Sequence, residues 1–507
     1  MVLWLTSGVV ALLLFLPLAY LLIEAAQTGW SSLSRLLFRQ LTFNLLWNTV
    51  RLSLAVTAAS AVIGVGAAWC IERTDLPGRR IWAILVVLPL AIPDFVTSYG
   101  WVSVAPSVQG FLGSLLVMTL ALYPLVYLPV AAAFRGADPG QEEVAHSLGL
   151  GRARTFWRVT LGQARPALLG GCVLVSLALL AEYGAFEILR YNTLTTEIFF
   201  EAERVYNLPA ASSISLVLVL VCLLVLGGDL VARGRGRVSR TGPQVARQRR
   251  PLRLGRATLP ALAGFALLVG LALGVPIGVI VYWLFNPGHT SFSATTSLVS
   301  AALHTAGYAA GAGALATVLA VPVALLSVRH PRKSTMLLER STFVVQALTG
   351  LVIALSLVFF AIHSVPYLYE STPLLIMGYA ILFFPLALVA VRTSVAQAPV
   401  QLEEVGRSLG QRPVAVLWRV VLPLVAPGLA AAFSLVFLST VTELTLTLVM
   451  VPIGVQTLAT EFWAYQTSLQ YGAAAPYAAL MIAIAVIPSY VLGRWFDRLP
   501  SRASDVP

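Results

Sequence analysis

Long apolar runs, separated by short polar segments, recur along the whole chain. A helix needs about 20 apolar residues to cross the hydrocarbon core of a bilayer, and twelve runs reach that length. They cover residues 2–24, 45–70, 81–103, 111–134, 166–189 and 212–232 in the first half, and 259–285, 299–328, 342–363, 373–395, 427–450 and 474–493 in the second. The pattern predicts an all-α polytopic membrane protein with about twelve transmembrane helices.

Composition agrees with this prediction. Hydrophobic residues make up 58% of the chain and charged residues only 11%, whereas about a quarter of the residues in soluble domains are charged. The net charge of +12 does not indicate nucleic-acid binding, because the basic residues cluster in short segments between apolar runs. Cys70, Cys172 and Cys222 fit no metal or redox spacing and are expected to be small core residues.

Arginine-rich segments alternate with segments that lack Lys and Arg. The arginine-rich ones follow every second apolar run and cover residues 72–80, 142–168, 233–256, 329–340, 403–429 and 493–502. The positive-inside rule places them all in the cytoplasm, which predicts that both termini are cytoplasmic. Arg35 and Arg39, in the first external loop, depart from this pattern. The first run has no basic segment before it, so we expect a retained span and not a signal peptide.

One cytoplasmic segment occurs twice. Residues 142–168 read EEVAHSLGLGRARTFWRVTLGQARPAL, and 261 residues later (403 minus 142) residues 403–429 read EEVGRSLGQRPVAVLWRVVLPLVAPGL. The sequence therefore predicts two homologous six-span units, at residues 1–232 and 257–507, joined by a cytoplasmic Arg-rich linker at 233–256. An even number of spans gives both units the same topology, so we expect a pseudo-twofold axis along the membrane normal.

The repeated segment is expected to form a helix, a sharp turn and a second short helix beneath the membrane. Acidic residues open each copy, where a helix N-terminus favours negative charge, and Gly149 and Gly410 fit a left-handed cap. Pro166 and Pro427 are expected to mark the start of the next span. An amphipathic helix resting on lipid would explain one copy, but two copies in register favour a partner with two equivalent sites.

These segments resemble the signature of the permease subunits of bacterial ATP-binding cassette importers, in which Glu-Ala-Ala, three residues, Gly, nine residues and Ile-x-Leu-Pro follow one another. The matching residues are Glu143, Val144, Ala145, Gly149, Val159 and Leu161 in the first copy, and Glu404, Val405, Gly406, Gly410, Val420, Leu422 and Pro423 in the second. Both copies have Val where the signature has its first Ala. The second copy also has Gly406 in place of the second Ala, and the first copy has Gly162 in place of the Pro. The spacing is intact.

The resemblance implies a multi-pass protein of the bacterial inner membrane with a type I importer fold. In that fold each segment is a coupling helix that docks on an ATP-binding subunit. The implied coupling residues are Glu143, Ala145, Gly149, Trp157 and Leu161, and Glu404, Gly406, Gly410, Trp418 and Leu422. The one lysine, Lys333, has no glycine-rich turn before it, so this chain has no Walker A loop and is expected to have no cofactor and no enzymatic activity. ATP and Mg are expected in two copies of a separate ATP-binding subunit, with a periplasmic substrate-binding protein outside and membrane lipid around the chain.

Acidic residues within the apolar runs are candidates for the pathway, because ionisable groups are costly there. Glu182 and Glu443 share the offset of 261, and Asp94 follows Pro93, which predicts a broken or kinked helix. Glu197 and Glu461 correspond after a slip of three residues and are candidates for a periplasmic gate or a receptor-docking surface. For all five residues a purely structural role, such as hydrogen bonding at a helix end, is the alternative.

The region around these acidic residues is most similar to that of ferric iron permeases, which implies iron transport. Thiamine, polyamine, phosphonate and sulfate permeases share the scaffold and remain alternatives. A different class, the ion-driven secondary transporter, also uses fused repeats but needs no paired coupling segments. An ion channel is disfavoured because the sequence contains no filter-like repeat.

Overall fold

The computed structural model describes residues 2–233, 252–286, 295–330, 332, 334–335, 338 and 342–498. Most of the predicted linker, and Lys333, lie outside these residues. Helices dominate the described part of the chain, where strand-like pairing is limited to an isolated bridge between Thr74 and Leu252. The all-α prediction is therefore confirmed.

The helices of the first half begin with a long apolar helix and end with the helix that precedes the linker. They are α1 (Val2–Thr28), α2 (Trp30–Leu37), α3 (Gln40–Arg73), α4 (Arg79–Leu85), α5 (Asp94–Val104), α6 (Gly110–Leu122), α7 (Pro124–Gly136), α8 (Pro139–Ser147), α9 (Arg152–Thr155), α10 (Leu161–Ala181), α11 (Gly184–Ile188), α12 (Leu194–Phe199) and α13 (Leu208–Arg233).

The second half contains related helices, with one continuous helix, Thr372–Gln397, in place of α6 and α7. Its helices are α14 (Thr258–Val269), α15 (Val275–Phe285), α16 (Thr295–Arg329), α17 (Gly350–Ser364), α18 (Thr372–Gln397), α19 (Val400–Ser408), α20 (Pro413–Val416), α21 (Leu422–Val441), α22 (Thr445–Met450), α23 (Leu458–Thr467) and α24 (Tyr471–Arg498).

In the part of the chain that the structure describes, helices that could cross a membrane account for ten of the twelve apolar runs. In the described residues nine continuous helices are long and apolar enough, and a bent pair is a tenth. The two remaining runs contain shorter apolar helices, Gly350–Ser364 and Tyr471–Ala485. The nine are Leu3–Gln27, Gln40–Arg73, Gly110–Gly136, Arg152–Ala181, Leu208–Asp229, Gly255–Phe285, Ser297–Arg329, Thr372–Gln397 and Leu417–Val441.

The third span of each half is broken at the same place. In the first half, helices Arg79–Ala91 and Asp94–Val104 meet at an angle of 94°, as the proline before Asp94 predicted. In the second half a 3-10 turn, Phe343–Ala347, precedes α17, and the Thr349 side chain caps that helix. An extended residue connects the two parts in both halves, so the break belongs to the repeated fold.

The expectation for Pro166 and Pro427 is wrong. Both prolines lie inside α10 and α21, because each span begins earlier, with the short helix that follows the glycine turn. A π-turn, at residues Phe156–Thr160 and Leu417–Val421, connects that short helix to the rest of the span. Membrane helices tolerate interior prolines because local adjustments of the backbone satisfy the groups that proline leaves free.

Contacts divide the chain into two compact units, and neither coincides with a sequence repeat. The first unit comprises Met1–Leu33, Glu201–Leu216 and Trp283–Pro507. Within it α1 packs against α16 and α17, and the ring of Tyr20 contacts the rings of Phe359 and Phe360. The first helix of the chain is therefore part of the core built by the second half.

The second unit comprises Ser34–Phe200 and Val217–Tyr282. Within it the ring of Phe265, in α14, lies 5.5 Å from the ring of Trp82. Gly100 lies so close to Pro276 that a Cβ there would be 2.9 Å from the proline Cα. The first span after the linker is therefore packed into the core built by the first half.

Candidate functional site

The first coupling segment ends its helix in a glycine turn. The Asp138 side chain caps α8 by accepting a hydrogen bond from the Gly140 N–H. Gly149 has a φ of +82°, a left-handed conformation that glycine adopts without steric cost. The N–H of Leu150 then donates to the carbonyl of Ala145, and the N–H of Gly149 to that of His146, each at 3.0 Å. These two bonds are a Schellman motif, which fixes the direction of the chain after the helix.

The second segment has the same turn. Gly410 has a φ of +78°, and its N–H donates to the Arg407 carbonyl at 2.9 Å. The N–H of Gln411 donates to the carbonyl of Gly406 at 3.2 Å. The predicted caps at Gly149 and Gly410 are thus present, and the two turns are built alike.

Each turn exposes three large apolar side chains. Leu148 is 76% exposed and Leu409 75%, while Trp157 is 69% and Trp418 66% exposed. Apolar side chains at such exposure on a polar segment indicate a binding surface. We call the two sets the coupling triads: Val144, Leu148 and Trp157, and Val405, Leu409 and Trp418.

The small residues of the signature lie on the opposite, buried face. Ala145 is buried, as is Gly406, where a Cβ would lie 3.3 Å from Cγ2 of Val416. The glycine that departs from the signature therefore matches a close contact between α19 and α20. Glu143 and Glu404 are exposed beside the triads, and Leu161 and Leu422 are half-buried at the start of their spans.

An ion pair attaches each coupling helix to the second span of its half. Nη2 of Arg73, the last residue of α3, lies 3.0 Å from Oε1 of Glu142, which also accepts a 2.6 Å hydrogen bond from the Thr160 hydroxyl. Nη2 of Arg329, the last residue of α16, lies 2.8 Å from Oε1 of Glu403. The signature does not include these two arginines. They could have been found in the sequence because each is the last residue of an equivalent span, the second or the eighth.

Glu182 and Glu443 occupy equivalent positions in their halves. Glu182 follows α10, and its Oε1 accepts a 2.7 Å hydrogen bond from the N–H of Ala185. Glu443 follows α21, and its Oε1 accepts a 3.0 Å bond from the N–H of Leu446. Each carboxylate therefore binds the N-terminus of the short helix that follows, where negative charge is favoured.

The surroundings of these carboxylates differ between the halves. A Cβ at Gly350, the first residue of α17, would lie 2.8 Å from Oε1 of Glu443. Asp94 is the first residue of α5, the equivalent helix of the first half. One half therefore places a carboxylate side chain at the broken span where the other half has glycine.

A small pocket of about 10 Å³, the space for a single water molecule, adjoins Glu443. Within it the hydroxyls of Tyr379 and Thr447 lie 2.5 Å apart. Its polar lining comprises Thr305, Tyr308, Tyr379, Thr440, Glu443, Thr447 and Thr457. Polar residues are thus grouped beside Glu443 inside an apolar helical unit.

Glu197 and Glu461 also occupy equivalent positions, each as the fourth residue after a threonine capping box at Thr193 or Thr457. Nη2 of Arg39 lies 3.2 Å from Oε1 of Glu197, so this carboxylate forms an ion pair. Partial burial raises the pKa of Glu461 above its ordinary value.

Two matching hydrogen bonds hold the ends of these short helices. The N–H of Leu194 donates to the hydroxyl of Thr49, in α3, at 3.0 Å. The N–H of Leu458 donates to the hydroxyl of Thr305, in α16, at 2.9 Å. Both helices are thus attached to the second span of their own half.

The described residues contain no group of three or more His, Cys, Asp and Glu side chains placed to hold a metal ion.

Comparison with known proteins agrees with the duplicated geometry. The family model "Binding-protein-dependent transport system inner membrane component" matches residues 10–233 and 316–503. The Fe(3+)-transport system permease protein FbpB 2 of Haemophilus influenzae is 35% identical over 497 residues, which cover 97% of this chain and 98% of the relative.

Single-unit relatives match less of the chain. The sulfate transport system permease protein CysT of Escherichia coli is 28% identical over 238 residues, which are 43% of this chain and 86% of the relative. A probable molybdenum ABC transporter permease protein of Haloferax volcanii is 28% identical over 228 residues, which are 42% and 83% of the two chains.

The family consists of transport permeases and not of enzymes, and it works with ATP-binding and substrate-binding partners. Its model matches most of this chain in two parts, one in each half. The chain is therefore a multi-pass membrane protein that belongs to the inner membrane components of binding-protein-dependent transport systems.

Proposed function

We propose that this chain is the fused permease of a ferric iron importer, and that one copy of a cytoplasmic ATP-binding subunit docks on each coupling triad. The observation that carries the proposal is the duplication of an exposed apolar triad on a Schellman turn, with matching exposure at each position. Two equivalent surfaces fit two copies of one partner. ATP and Mg are bound by those partners, and both termini face the cytoplasm with them.

The structure offers two mechanical connections from each triad to the membrane. The first is covalent, because α9 and α20 continue through a π-turn into α10 and α21. The second is the ion pair from Glu142 or Glu403 to the end of α3 or α16. A partner that moves the coupling helix would therefore move two spans of that half together.

Such movement drives alternating access through differential binding. A partner shifts an equilibrium between two states only by the difference in its affinity for them. ATP-bound and ATP-free partner pairs present the two coupling helices with different separations, so each favours one orientation of the spans. A periplasmic substrate-binding protein delivers the substrate on the other side.

Iron is the substrate that best fits the relatives and the acidic residues. The iron permease of Haemophilus influenzae shares the fused double architecture over nearly the whole of both chains, whereas the sulfate and molybdenum permeases match less than half of this chain. Glu182, Glu443 and Asp94 suit a cation better than an oxyanion. We assign them to the pathway, and Glu197 and Glu461 to the periplasmic gate or receptor-docking surface.

Uptake by cells that lack their own iron importer tests the substrate. Cells expressing this chain with its ATP-binding subunit and receptor should accumulate ⁵⁵Fe supplied as ferric iron, but not labelled sulfate, thiamine or spermidine. Accumulation of one of the other three without iron would contradict the iron assignment and leave the permease assignment intact.

Variants of the triads test the docking. Leu148→Glu with Leu409→Glu places charge in both apolar surfaces and should abolish co-purification of the ATP-binding subunit, while the chain still inserts in the membrane. The control, Leu148→Met with Leu409→Met, keeps the apolar surface and should behave as wild type. Normal co-purification with the glutamate variant would exclude these surfaces as the docking site.

A further inference from the structure

An open groove of about 490 Å³ runs between α3 and α14, in the second unit. Gly66, Ala67 and Cys70 line it from α3, and Pro260, Gly264 and Leu268 from α14. Apolar and small residues form its lining, and it contains no charged side chain. It is separate from the coupling triads and from the acidic pathway residues.

Small residues create the groove. A Cβ added at Gly66 or at Gly264 would meet no atom within 4 Å, so neither glycine is required by a tight contact between helices. The groove is instead space that two larger side chains would fill. Space of this kind on the lipid-facing surface of a membrane protein suits a hydrocarbon chain.

The groove fits within the depth of one bilayer leaflet. Its lining extends from Ile63 to Cys70 along α3, which is about 10 Å at 1.5 Å per residue. Half of the hydrocarbon core is about 15 Å thick. Cys70 lies three residues before the end of α3 at Arg73, so the groove opens toward the leaflet that faces the arginine-rich segments.

Backbone pairing holds two arginines at that end of the groove. The N–H of Asp75 donates to the carbonyl of Leu252 at 3.1 Å, and the N–H of Leu254 donates to Oδ1 of Asp75 at 2.8 Å. This pairing fixes the chain just before α14, and with it the exposed residues Arg253 and Arg256.

Arg79 and Arg80 add positive charge at the same end, at the start of α4. Both are exposed. Within the part of the chain that the structure describes, Arg80, Arg253 and Arg256 have no carboxylate within ion-pair distance, and Glu72, the nearby carboxylate on α3, pairs with Arg135. Asp75 and Glu72 are the nearby carboxylates, and Glu72 attracts Arg79 as well as Arg135, so the four arginines leave an excess of positive charge beside an apolar groove.

We propose that this groove binds one acyl chain of an anionic phospholipid of the cytoplasmic leaflet, whose phosphate is held by Arg253 and Arg256. Basic pockets between membrane helices on the cytoplasmic side bind anionic headgroups, and here a basic cluster borders the cytoplasmic end of an apolar groove, in the order of the headgroup and acyl chain of a phospholipid. A zwitterionic lipid has no net charge to match the cluster, so the site selects for the anionic headgroup.

Native mass spectrometry of the purified full-length chain tests the proposal. Delipidated protein is incubated with palmitoyl-oleoyl phosphatidylglycerol or with the phosphatidylcholine of the same chains, and the retained lipid is counted. Wild type should retain one phosphatidylglycerol preferentially. Arg253→Gln with Arg256→Gln should weaken its binding by about 30-fold, since each arginine near an anionic headgroup contributes roughly fivefold. Arg253→Lys with Arg256→Lys should restore most of the binding.

Variants that fill the groove test the proposal independently of the arginines. Gly66→Leu with Gly264→Leu should abolish the retained phosphatidylglycerol without unfolding the chain, because both sites are open. Gly278→Leu, at an equally open position outside the groove, is the matched control and should retain the lipid. Equal retention of both lipids by wild type, or undiminished binding by the filled variant, would overturn the proposal. The measurement needs neither ATP nor iron, so its failure leaves the transport function untouched.

Discussion

At the scale of single residues, Glu182 and Glu443 combine two roles that can be separated by substitution. Each carboxylate accepts a backbone hydrogen bond from the following helix and each is an acidic group within an apolar run. Glutamine keeps the accepting oxygen but removes the charge, whereas alanine removes both. Loss of a side-chain cap costs about 1 kcal/mol, so the two substitutions have different expected effects.

Glu182→Gln with Glu443→Gln should lower iron uptake at least tenfold while leaving thermal stability and co-purification of the ATP-binding subunit unchanged. That result would show that the negative charges of Glu182 and Glu443 are needed for iron to pass but not for the chain to fold. The measurements are ⁵⁵Fe uptake and the melting temperature of the purified chain. Wild-type uptake by this double variant would remove both residues from the pathway.

Gly350→Ala tests whether the position of the Glu443 carboxylate matters. A methyl group there would lie 2.8 Å from Oε1 of Glu443, so the carboxylate must move. We expect reduced uptake with a stability loss of about 1 kcal/mol or less. Gly307→Ala, in the open surroundings of α16, is the control and should behave as wild type.

The sequence predicted which of these residues correspond but not what they contact. A constant offset was enough to pair Glu182 with Glu443. The hydrogen bonds of their carboxylates depend on where α10 and α21 end, and sequence patterns locate helix ends poorly because fraying and caps compete there. Likewise, Arg73 and Glu142 are far apart in sequence, so only the fold brings them together.

At the scale of elements, the glycine turns are the most constrained part of the coupling segments. A β-branched residue at a positive φ costs roughly 1–2 kcal/mol, and here it would also disturb the Schellman bonds that orient the triad. Asparagine tolerates this conformation. Comparing valine with asparagine therefore distinguishes the effect of losing the left-handed backbone conformation from the effect of adding a side chain.

Gly149→Val with Gly410→Val should leave the chain inserted but reduce iron uptake per ATP hydrolysed at least fivefold, because the triads lose their orientation. Gly149→Asn with Gly410→Asn should retain most of the coupling. Both are measured in reconstituted vesicles with the ATP-binding subunit. An unchanged ratio in the valine variant would mean that turn geometry is unimportant for coupling.

The ion pairs of the coupling helices make a second prediction at this scale. Glu142→Gln with Glu403→Gln leaves Arg73, which is only 7% exposed, with the weaker attraction of Glu72 alone, and should lower the free energy of unfolding by about 1–3 kcal/mol per site. Glu143→Gln with Glu404→Gln, at the exposed neighbouring positions, is the control and should leave thermal stability unchanged. Equal melting temperatures for both variants would show that the ion pairs do not stabilise the fold.

The sequence predicted helices well where an apolar run was long, and poorly where a helix continues through an irregular turn. All twelve apolar runs correspond to helical segments. The starts of α10 and α21 were placed too late because proline usually begins a helix, whereas membrane spans accept it inside. No sequence pattern indicated the π-turns before them.

At the scale of the whole molecule, each compact unit contains segments from both halves of the sequence. The first unit contains α1, and the second contains α14 and most of α15. Repeated motifs predicted two homologous halves, but a repeat reveals similarity and not which segments pack together. The exchange of first helices could therefore not be predicted from the sequence.

Separate expression of the halves tests this exchange. Residues 1–240 and 241–507, produced as two chains in one cell, should co-purify through a tag on either, because each supplies helices to the core of the other. Residues 1–240 alone should be degraded, since α14 and α15 would be missing. Equal accumulation of that fragment with and without its complement would contradict the prediction.

The π-turns at Phe156–Thr160 and Leu417–Val421 have a consequence for how the chain can evolve. A π-turn adds one residue to a helix, and one residue rotates everything before it by about 100° relative to everything after it. Deleting a single residue there, other than the tryptophan, would change the direction of the valine and leucine of a triad relative to the membrane span while leaving the composition of the triad intact. Because the extra residue lies at the same place in both halves, the two docking surfaces have the same orientation relative to their spans. Loss of one residue from one half alone would therefore leave only the other half oriented to bind its ATP-binding subunit.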